Sequence, residues 1–327
     1  MSRTRLIIVA SSAIAVALAF AACGESNITG TAPAASTASR TDAERTEIAE
    51  VAIGMRTNRH YGKPVRVGNG SVRTYIVRDK DLWGTPIEIG VAMSEASMEG
   101  LPAPMPMSPE EMKKGGHTNM NMYLLDLPSK NPTPYKFVQF DWNPTGHEPA
   151  GVYDLPHFDF HFYTVPVSVR NSIVPSDPQF AQKAASYPAP ELRAPFYIDA
   201  ATPAGAPPAA VTVPQMGLHW LDVRSPELQG MAGNPAGFKP FTKTFIYGSW
   251  DGQFIFDEPM ITRAYIMAKK TTTDPAVRDE VIPVSVPAKH AKAGFYPGAY
   301  RITWDAQAKE YRIALTQLVW RDAGTPQ

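Results

Sequence analysis

Two histidines and an aspartate alternate with phenylalanines in one short segment. Residues 155–163 read Leu-Pro-His-Phe-Asp-Phe-His-Phe-Tyr, which places His157, Asp159 and His161 at every second position. Successive side chains of a β-strand point to opposite faces. The phenylalanines would then face a hydrophobic core, and the imidazoles and the carboxylate would form a row on the other face. Imidazole and carboxylate groups bind Zn, Mn or Fe, so this row is a candidate metal site.

The spacing of the two histidines restricts how they can act together. Same-face residues lie about 7 Å apart along a strand, so His157 and His161 are about 13 Å apart on an ideal straight one. Both cannot bind one ion directly, because Zn–N bonds are about 2 Å long. Three alternatives stay open: a bulge near Asp159, a helix in which residues i and i+4 meet, or one histidine that binds while the other orients it. Pro156 and the phenylalanines favour a strand.

Two further blocks offer ligands. His219 follows Gly217, which permits close approach of backbone or ligand, and Glu258 precedes Pro259 at the end of a β-rich segment. We therefore expect a site built from His157, His161, His219 and Glu258, with Asp159 as a ligand or an orienting group. The alternative is that these histidines are packed, hydrogen-bonded structural residues. The expected ion is Zn, Mn or Fe, because imidazole and carboxylate ligands suit all three.

Three histidines and one glutamate are also the ligand types of cupins. The first cupin motif has two histidines at spacing two followed by a glutamate, whereas the spacing from His157 to His161 is four, so the match is poor. His60, His117, His147 and His290 lie in polar or glycine-rich stretches and are interpreted as surface residues. Among these four, His147 is the next candidate ligand, because it directly precedes the alternating segment.

The amino terminus has the pattern of a secretory signal. Arg3 and Arg5 precede an apolar segment from Leu6 to Ala22, and Phe20-Ala21-Ala22-Cys23 resembles a bacterial lipobox. Residues 1–22 are therefore predicted to be a lipoprotein signal peptide, with Cys23 as the lipidated first residue of the mature chain. Residues 23–44 are predicted to be a flexible tether. The expected location is the cell envelope, with the chain lipid-anchored to a bacterial membrane on its periplasmic or cell-surface side.

The rest of the chain, residues 45–325, is predicted to be a single β-rich domain. Turn signals separate β-rich segments throughout, and Gly68-Asn69-Gly70 and Asp251-Gly252 each indicate a hairpin. No βαβ rhythm is present, so we predict a mainly β fold, an antiparallel barrel or sandwich with a few short helices. The predicted strands span residues 65–67, 72–77, 87–93, 122–127, 135–142, 157–165, 218–223, 244–249, 254–256, 261–268, 299–304 and 310–315. Short helices are expected over 41–53, 165–174 and 177–185, and the Pro- and Ala-rich residues 186–215 are expected to run over the surface.

Composition excludes several classes of protein. The chain has 327 residues with 31 Lys plus Arg and 31 Asp plus Glu, so it lacks the basic excess of proteins that neutralise nucleic-acid phosphates. Its 32 prolines argue against a helical bundle. Its single cysteine forms no intramolecular disulfide and no cysteine-based zinc cluster. Walker A, dinucleotide-binding and Gly-x-Ser-x-Gly patterns are missing from the sequence.

Three motifs resemble a family of bacterial secreted β-rich proteins of unknown function. They are His-x-Asp-x-His-Phe-Tyr at residues 157–163, Met-Gly-x-His-Trp at 216–220 and Glu-Pro-Met-Ile-Thr at 258–262, the last preceded by Phe-Ile-Tyr-Gly-Ser at 245–249. The resemblance covers roughly residues 60–320. It implies a β-rich fold and, from one member of Thermus, a homo-oligomer. It implies no reaction. The sequence thus leaves two hypotheses: an envelope-anchored lipoprotein with a His/carboxylate metal site, or a metal-dependent envelope hydrolase or oxygenase.

Overall fold

The computed structural model describes residues 57–80, 84–104, 108, 110 and 120–324. The predicted signal peptide, Cys23, the tether and the helix over 41–53 lie outside the described residues, as does His117. The strands in chain order are β1 (Thr57–Tyr61), β2 (Val65–Val67), β3 (Gly70–Asp79), β4 (Pro86–Ser94), β5 (Asn121–Asp126), β6 (Phe137–Asn143), β7 (His157–Tyr163), β8 (Tyr197–Asp199), β9 (Leu218–Asp222), β10 (Lys243–Trp250), β11 (Gln253–Thr262), β12 (Asp279–Pro283), β13 (Gly294–Tyr296), β14 (Ala299–Asp305), β15 (Glu310–Thr316) and β16 (Val319–Arg321).

In the part of the chain that the structure describes, the defined helices are few and mostly short. The α-helices are α1 (Val167–Ser172), α2 (Phe180–Ala184), α3 (Ala201–Ala204), α4 (Pro208–Val211), α5 (Arg263–Thr271) and α6 (Pro275–Arg278). Single 3-10 turns occur at Glu95–Met98, Pro190–Leu192, Pro226–Leu228 and Pro235–Gly237. In the described part of the chain, no helix is both long and apolar enough to span a membrane.

The strands form two large antiparallel sheets. The first sheet has the order β1-β3-β4-β15-β14-β12, with β2 paired to β3, and the second has the order β5-β6-β7-β11-β10-β9-β8. A third, small sheet pairs β13 with β16. Among the described residues both large sheets have open edges, so neither closes into a barrel. The predicted mainly β, antiparallel fold is confirmed, in its sandwich-like form.

The core lies between the two large sheets. Phe158, Phe160 and Phe162 of β7 are fully buried and belong to the same hydrophobic cluster as Ile89 of β4 and Ile313 of β15. This cluster joins one face of each sheet. The alternation predicted for the segment around Asp159 therefore places its phenylalanines in the sandwich core, and its polar residues on the opposite face of the second sheet.

Both predicted hairpin turns are observed. The strands β2 and β3 pair across the first turn, with Val67 opposite Gly70. At the second turn, Asp251 and Gly252 both have positive φ, 49° and 76°, which is the geometry of a two-residue type I′ hairpin between β10 and β11.

Two predictions for longer segments need correction, the first because it is wrong and the second because it is incomplete. The strand predicted over 261–268 ends at Thr262, whose side chain accepts a hydrogen bond from the backbone N of Tyr265 (3.3 Å) and so caps α5. Beyond the cap, buried Ile266 and Lys269 are three residues apart, a helical spacing that single-sequence β-propensity does not reveal. Residues 186–215 do not simply cover the surface. They contain β8, where buried Tyr197 donates a hydrogen bond to the carbonyl of Phe245 (2.9 Å).

The central phenylalanine of β7 should dominate the stability of the sandwich. Phe160 is fully buried, and its ring centroid lies 5.4 Å from that of Phe140. Replacing Phe160 by Ala should lower the free energy of unfolding by about 3 to 5 kcal/mol, measured by urea denaturation. Replacing Phe238, whose surface is 42% exposed, should cost under about 1 kcal/mol. Equal costs for the two variants would contradict this placement of the core.

Candidate metal centre

The outer face of the second sheet is polar where β6 and β7 pair. Asn143 lies opposite His157, Asp141 opposite Asp159, and Gln139 opposite His161. Directly opposed residues of paired strands point to the same face. Two rows of polar side chains, one on β6 and one on β7, therefore lie side by side along the strands.

The strand β11 adds a third row. Thr262 lies opposite His157 and Met260 opposite Asp159, and the same register holds at Asp257 and Phe162. Continuing that register places Glu258 opposite His161, and the Nε2 atom of His161 lies 3.3 Å from Oε1 of Glu258. No register shift occurs between β7 and either neighbouring strand, so β7 is a regular strand without a bulge. The predicted alternatives of a bulge at Asp159 or a helix are wrong.

His219 reaches the same carboxylate from β9. Its Nε2 atom lies 3.7 Å from Oε2 of Glu258. Between β9 and β11, Gly248 of β10 lies opposite both His219 and Phe256. A Cβ atom at Gly248 would lie 2.1 Å from the ring of Phe256, so the missing side chain makes room for that ring. The ring centroid of Phe256 lies 4.7 Å from that of His161 and 5.5 Å from that of His219.

Of the two roles expected for Gly217, close approach of another backbone is the one observed. Its φ is +85°, and a Cβ atom there would lie 2.4 Å from the carbonyl oxygen of Ser249. The glycine thus permits close contact between two backbones, and this contact places His219 next to β10.

Four of the five predicted ligands are deeply buried. His157, Asp159, His161 and Glu258 are at most 2% exposed, although they lie on the sheet face away from the sandwich core. Apolar residues cover this face at both ends. One cluster includes Phe180 of α2 and Phe256, and another includes Tyr153, Phe241 and Met260. The side chain of His219 is 16% exposed.

The predicted ligands form two groups instead of one. His161, His219 and Glu258 form the first group, and His157 and Asp159 join His147 in the second. Within each group, one ligand atom per residue lies within 4.8 Å of the others. The single cupin-like set of three histidines and a glutamate is therefore not what these residues form, because the regular strand keeps His157 and His161 apart.

The remaining histidines that were interpreted as surface residues differ from one another. His147 is the half-buried member of the second group, with 35% of its side chain accessible. His60 lies in β1 opposite Ile76. His290 is partly buried, and its ring stacks on that of Tyr296 at a centroid distance of 3.6 Å.

A chain of polar contacts from α1 through β6 reaches His161 of the first group. Arg170 of α1 donates from Nε to Oε1 of Gln139 (2.8 Å), and Gln139 donates from Nε2 to Oδ2 of Asp141 (2.7 Å). The same Asp141 oxygen lies 3.3 Å from Nδ1 of His161. A carboxylate at the distal nitrogen of a ligating histidine fixes the ring orientation and strengthens the ligand.

Burial and the facing carboxylates shift the protonation of this cluster. Burial, together with the neighbouring charge of Asp159, raises the pKa of Asp141 and of Glu258 well above the ordinary values. Burial lowers the pKa of His161 to about 3 and keeps its imidazole neutral, the form that binds metals. Burial would also raise the pKa of Asp159, but the charges of His157 and His147 and their contacts hold it well below its usual range.

Six buried polar atoms of this cluster have no hydrogen-bond partner. They are Oδ1 of Asp141, Nε2 of His157, Oδ1 of Asp159, Nδ1 and Nε2 of His161, and Oε2 of Glu258. Native proteins leave few such atoms, so a local concentration of them calls for an explanation such as a bound ion or ordered water. A divalent cation in either group would accept a lone pair from one nitrogen of each imidazole and from a carboxylate oxygen. The described groups contain no thiolate, and imidazole with carboxylate suits Zn, Mn or Fe.

Sequence reasoning missed the residues that support the ligands. Gln139, Asp141 and Asn143 alternate with apolar residues in Phe-Val-Gln-Phe-Asp-Trp-Asn, the same pattern that identified β7. That alternation was the available signal for a second polar row. Arg170 gave no such signal, because it reaches Gln139 only through the packing of α1 on the sheet.

A comparison with protein families gives one match. The model of the TTHB210-like family, described as hypothetical protein TTHB210, matches residues 81–142. This supports similarity to an uncharacterised family with a Thermus representative. The match ends at Trp142, before the three motifs at 157–163, 216–220 and 258–262, so those motifs and the homo-oligomer stay predictions. No curated protein and no solved structure shows significant similarity to the chain.

The space at Gly248 should control the geometry of the first group. Replacing Gly248 by Ala forces the Phe256 ring away from the new methyl group, which should lower stability by about 1 to 3 kcal/mol. It should also shift the imidazole NMR signals of His161 and His219, which contact that ring. Adding Phe256→Leu should recover part of the stability. Unchanged unfolding and unchanged imidazole signals in Gly248→Ala would contradict the predicted role.

Proposed function

We propose that this protein is an envelope-anchored lipoprotein that binds a divalent transition metal through His161, His219 and Glu258. The observation that carries the proposal is the convergence of these three side chains, with the buried Nε2 of His161 and Oε2 of Glu258 lacking hydrogen-bond partners. A buried, unpaired carboxylate oxygen beside neutral imidazole nitrogen is costly without a cation.

The supporting contacts agree with a metal ligand set. His161 presents Nε2 to Glu258 and Nδ1 to Asp141, so its two nitrogens face a ligand position and an orienting carboxylate. The chain from Arg170 through Gln139 holds Asp141 in place. Such outer contacts are typical of protein metal sites.

A second candidate function is a metal-dependent hydrolase or oxygenase of the envelope. One observation favours it: three protein ligands leave a tetrahedral or octahedral ion with open positions, and His219, the ligand from β9, is partly exposed. An open position is what a catalytic metal needs to bind water or oxygen. The substrate class is not indicated by these residues.

Metal analysis tests the proposed site. The full chain, produced with its signal peptide and extracted in detergent, should retain Zn, Mn or Fe after dialysis or after loading with each ion. His219→Ala and Glu258→Gln should each remove the ion of this group and lower affinity at least about tenfold. His60→Ala, a histidine of the other sheet, is the matched control and should retain the wild-type content. Identical metal content in wild type and His219→Ala, or none after loading, would refute the proposal.

Lipid anchoring is tested separately at Cys23. Cys23→Ala should move the protein from the membrane fraction to the soluble envelope fraction or leave its signal peptide uncleaved, because the acyl chains supply the anchor. Mass spectrometry of the wild type should detect acylation on Cys23. His219→Ala should remain in the membrane fraction with the same modification. A wild-type chain that starts elsewhere and carries no acyl group would overturn this part of the proposal.

A further inference from the structure

We propose that His147, His157 and Asp159 form a second, separate site for a divalent transition metal, which fastens the loop of residues 144–156 to β7. The site does not depend on the first group, because the two groups have no ligand in common. It would take Zn, Mn or Fe, the ions that suit two imidazoles and a carboxylate.

The hydrogen bonds of the two histidines fix which nitrogen is free to bind. Nδ1 of His157 lies 2.7 Å from the carbonyl oxygen of Leu155, and Nδ1 of His147 lies 2.7 Å from that of Glu148. A carbonyl only accepts hydrogen bonds, so each Nδ1 carries the proton. In the neutral form of each ring the lone pair is then on Nε2, and a backbone carbonyl on the distal nitrogen is a common feature of ligating histidines.

Both of these nitrogens face Asp159. Nε2 of His157 lies 3.3 Å from Oδ1 of Asp159, and Nε2 of His147 lies 3.6 Å from Oδ2. Asn143 donates from Nδ2 to Oδ2 of Asp159 (2.7 Å) and thereby holds the carboxylate. Nε2 of His157 and Oδ1 of Asp159 are buried and have no hydrogen-bond partner. Two lone pairs that face each other repel, and a cation between them turns this repulsion into two bonds.

The loop has its own structure, which presents His147 to the sheet. The backbone N of His147 donates to the carbonyl of Tyr153 (3.2 Å), and Gly146 has a φ of +73° with no room for a Cβ atom beside that carbonyl. The Tyr153 ring packs edge-on against Phe241. The imidazoles of His147 and His157 then lie 4.7 Å apart at an angle of 77°. His147 is the most accessible of the three ligands, so we expect an ion to enter from the loop side.

An ion pair without metal is the competing explanation. A doubly protonated His157 beside Asp159 would also balance the charge. In the observed geometry, however, the Nε2 atom of His157 does not make a hydrogen bond to the carboxylate, although the two atoms are only 3.3 Å apart. The test must therefore separate a bound metal from a bound proton.

Metal stoichiometry of single variants separates the two sites. With Zn loading followed by dialysis, the full chain should hold two equivalents, and His147→Ala and His219→Ala should each hold one. The double variant should hold none, and His60→Ala should hold two. One equivalent in the wild type that is retained in His147→Ala and lost in His219→Ala would overturn the second site and leave the first intact. The opposite pattern would overturn the first site and support the second.

Hydrogen exchange gives a second readout whose deciding comparison uses the wild-type protein alone, with the His147→Ala variant as a control. Adding Zn to the chelator-treated wild-type protein should slow amide exchange over residues 144–156 by about tenfold or more, since metal that binds only the closed loop stabilises it. The His147→Ala variant should show no such slowing there. Unchanged exchange over these residues when Zn is added to the wild type would favour the ion pair and refute the metal site.

Discussion

The constraint on which the structure depends is the burial of three carboxylates, Asp141, Asp159 and Glu258, on the covered face of one sheet. Moving a charged carboxylate out of water costs several kcal/mol unless a counter-charge and hydrogen bonds replace the lost hydration. Arg170 reaches this region through Gln139 and compensates in part. The imidazoles around the carboxylates leave several of their atoms unpaired. The face therefore carries two His/carboxylate groups that could hold a cation.

One strand carries both the core and the candidate site. The phenylalanines of β7 hold the two sheets together, while His157, Asp159 and His161 project from the other side of the same seven residues. A register slip of one residue would exchange the two faces and bury the imidazoles in the sandwich core. The large apolar area of the phenylalanines opposes such a slip. Core packing thus fixes the positions of the candidate ligands.

Local alternation was sufficient to predict the core face and the polar face of β7, and turn chemistry was sufficient for the hairpins at Gly68 and Asp251. Neither signal could predict which candidate ligands belong to which of the two groups. Whether Glu258 meets His161 or His157 depends on the register of β7 with β11, and His219 reaches the site only through the order of β9, β10 and β11. The strand register and the strand order both depend on pairing between residues that are far apart in the sequence. The helix after Thr262 was missed because one cap outweighed the β-propensity of the residues that follow.

The two groups differ in what they connect, and this difference bears on function. The first joins β7, β11 and β9, strands already fixed by the sheet, so its geometry exists before any ion binds. The second joins β7 to a loop, so an ion there would also restrict backbone motion. A set of three ligands held on strands suits the fixed geometry of a catalytic site, whereas a ligand from a loop suits a structural role. If either group supports chemistry, the geometry therefore favours His161, His219 and Glu258.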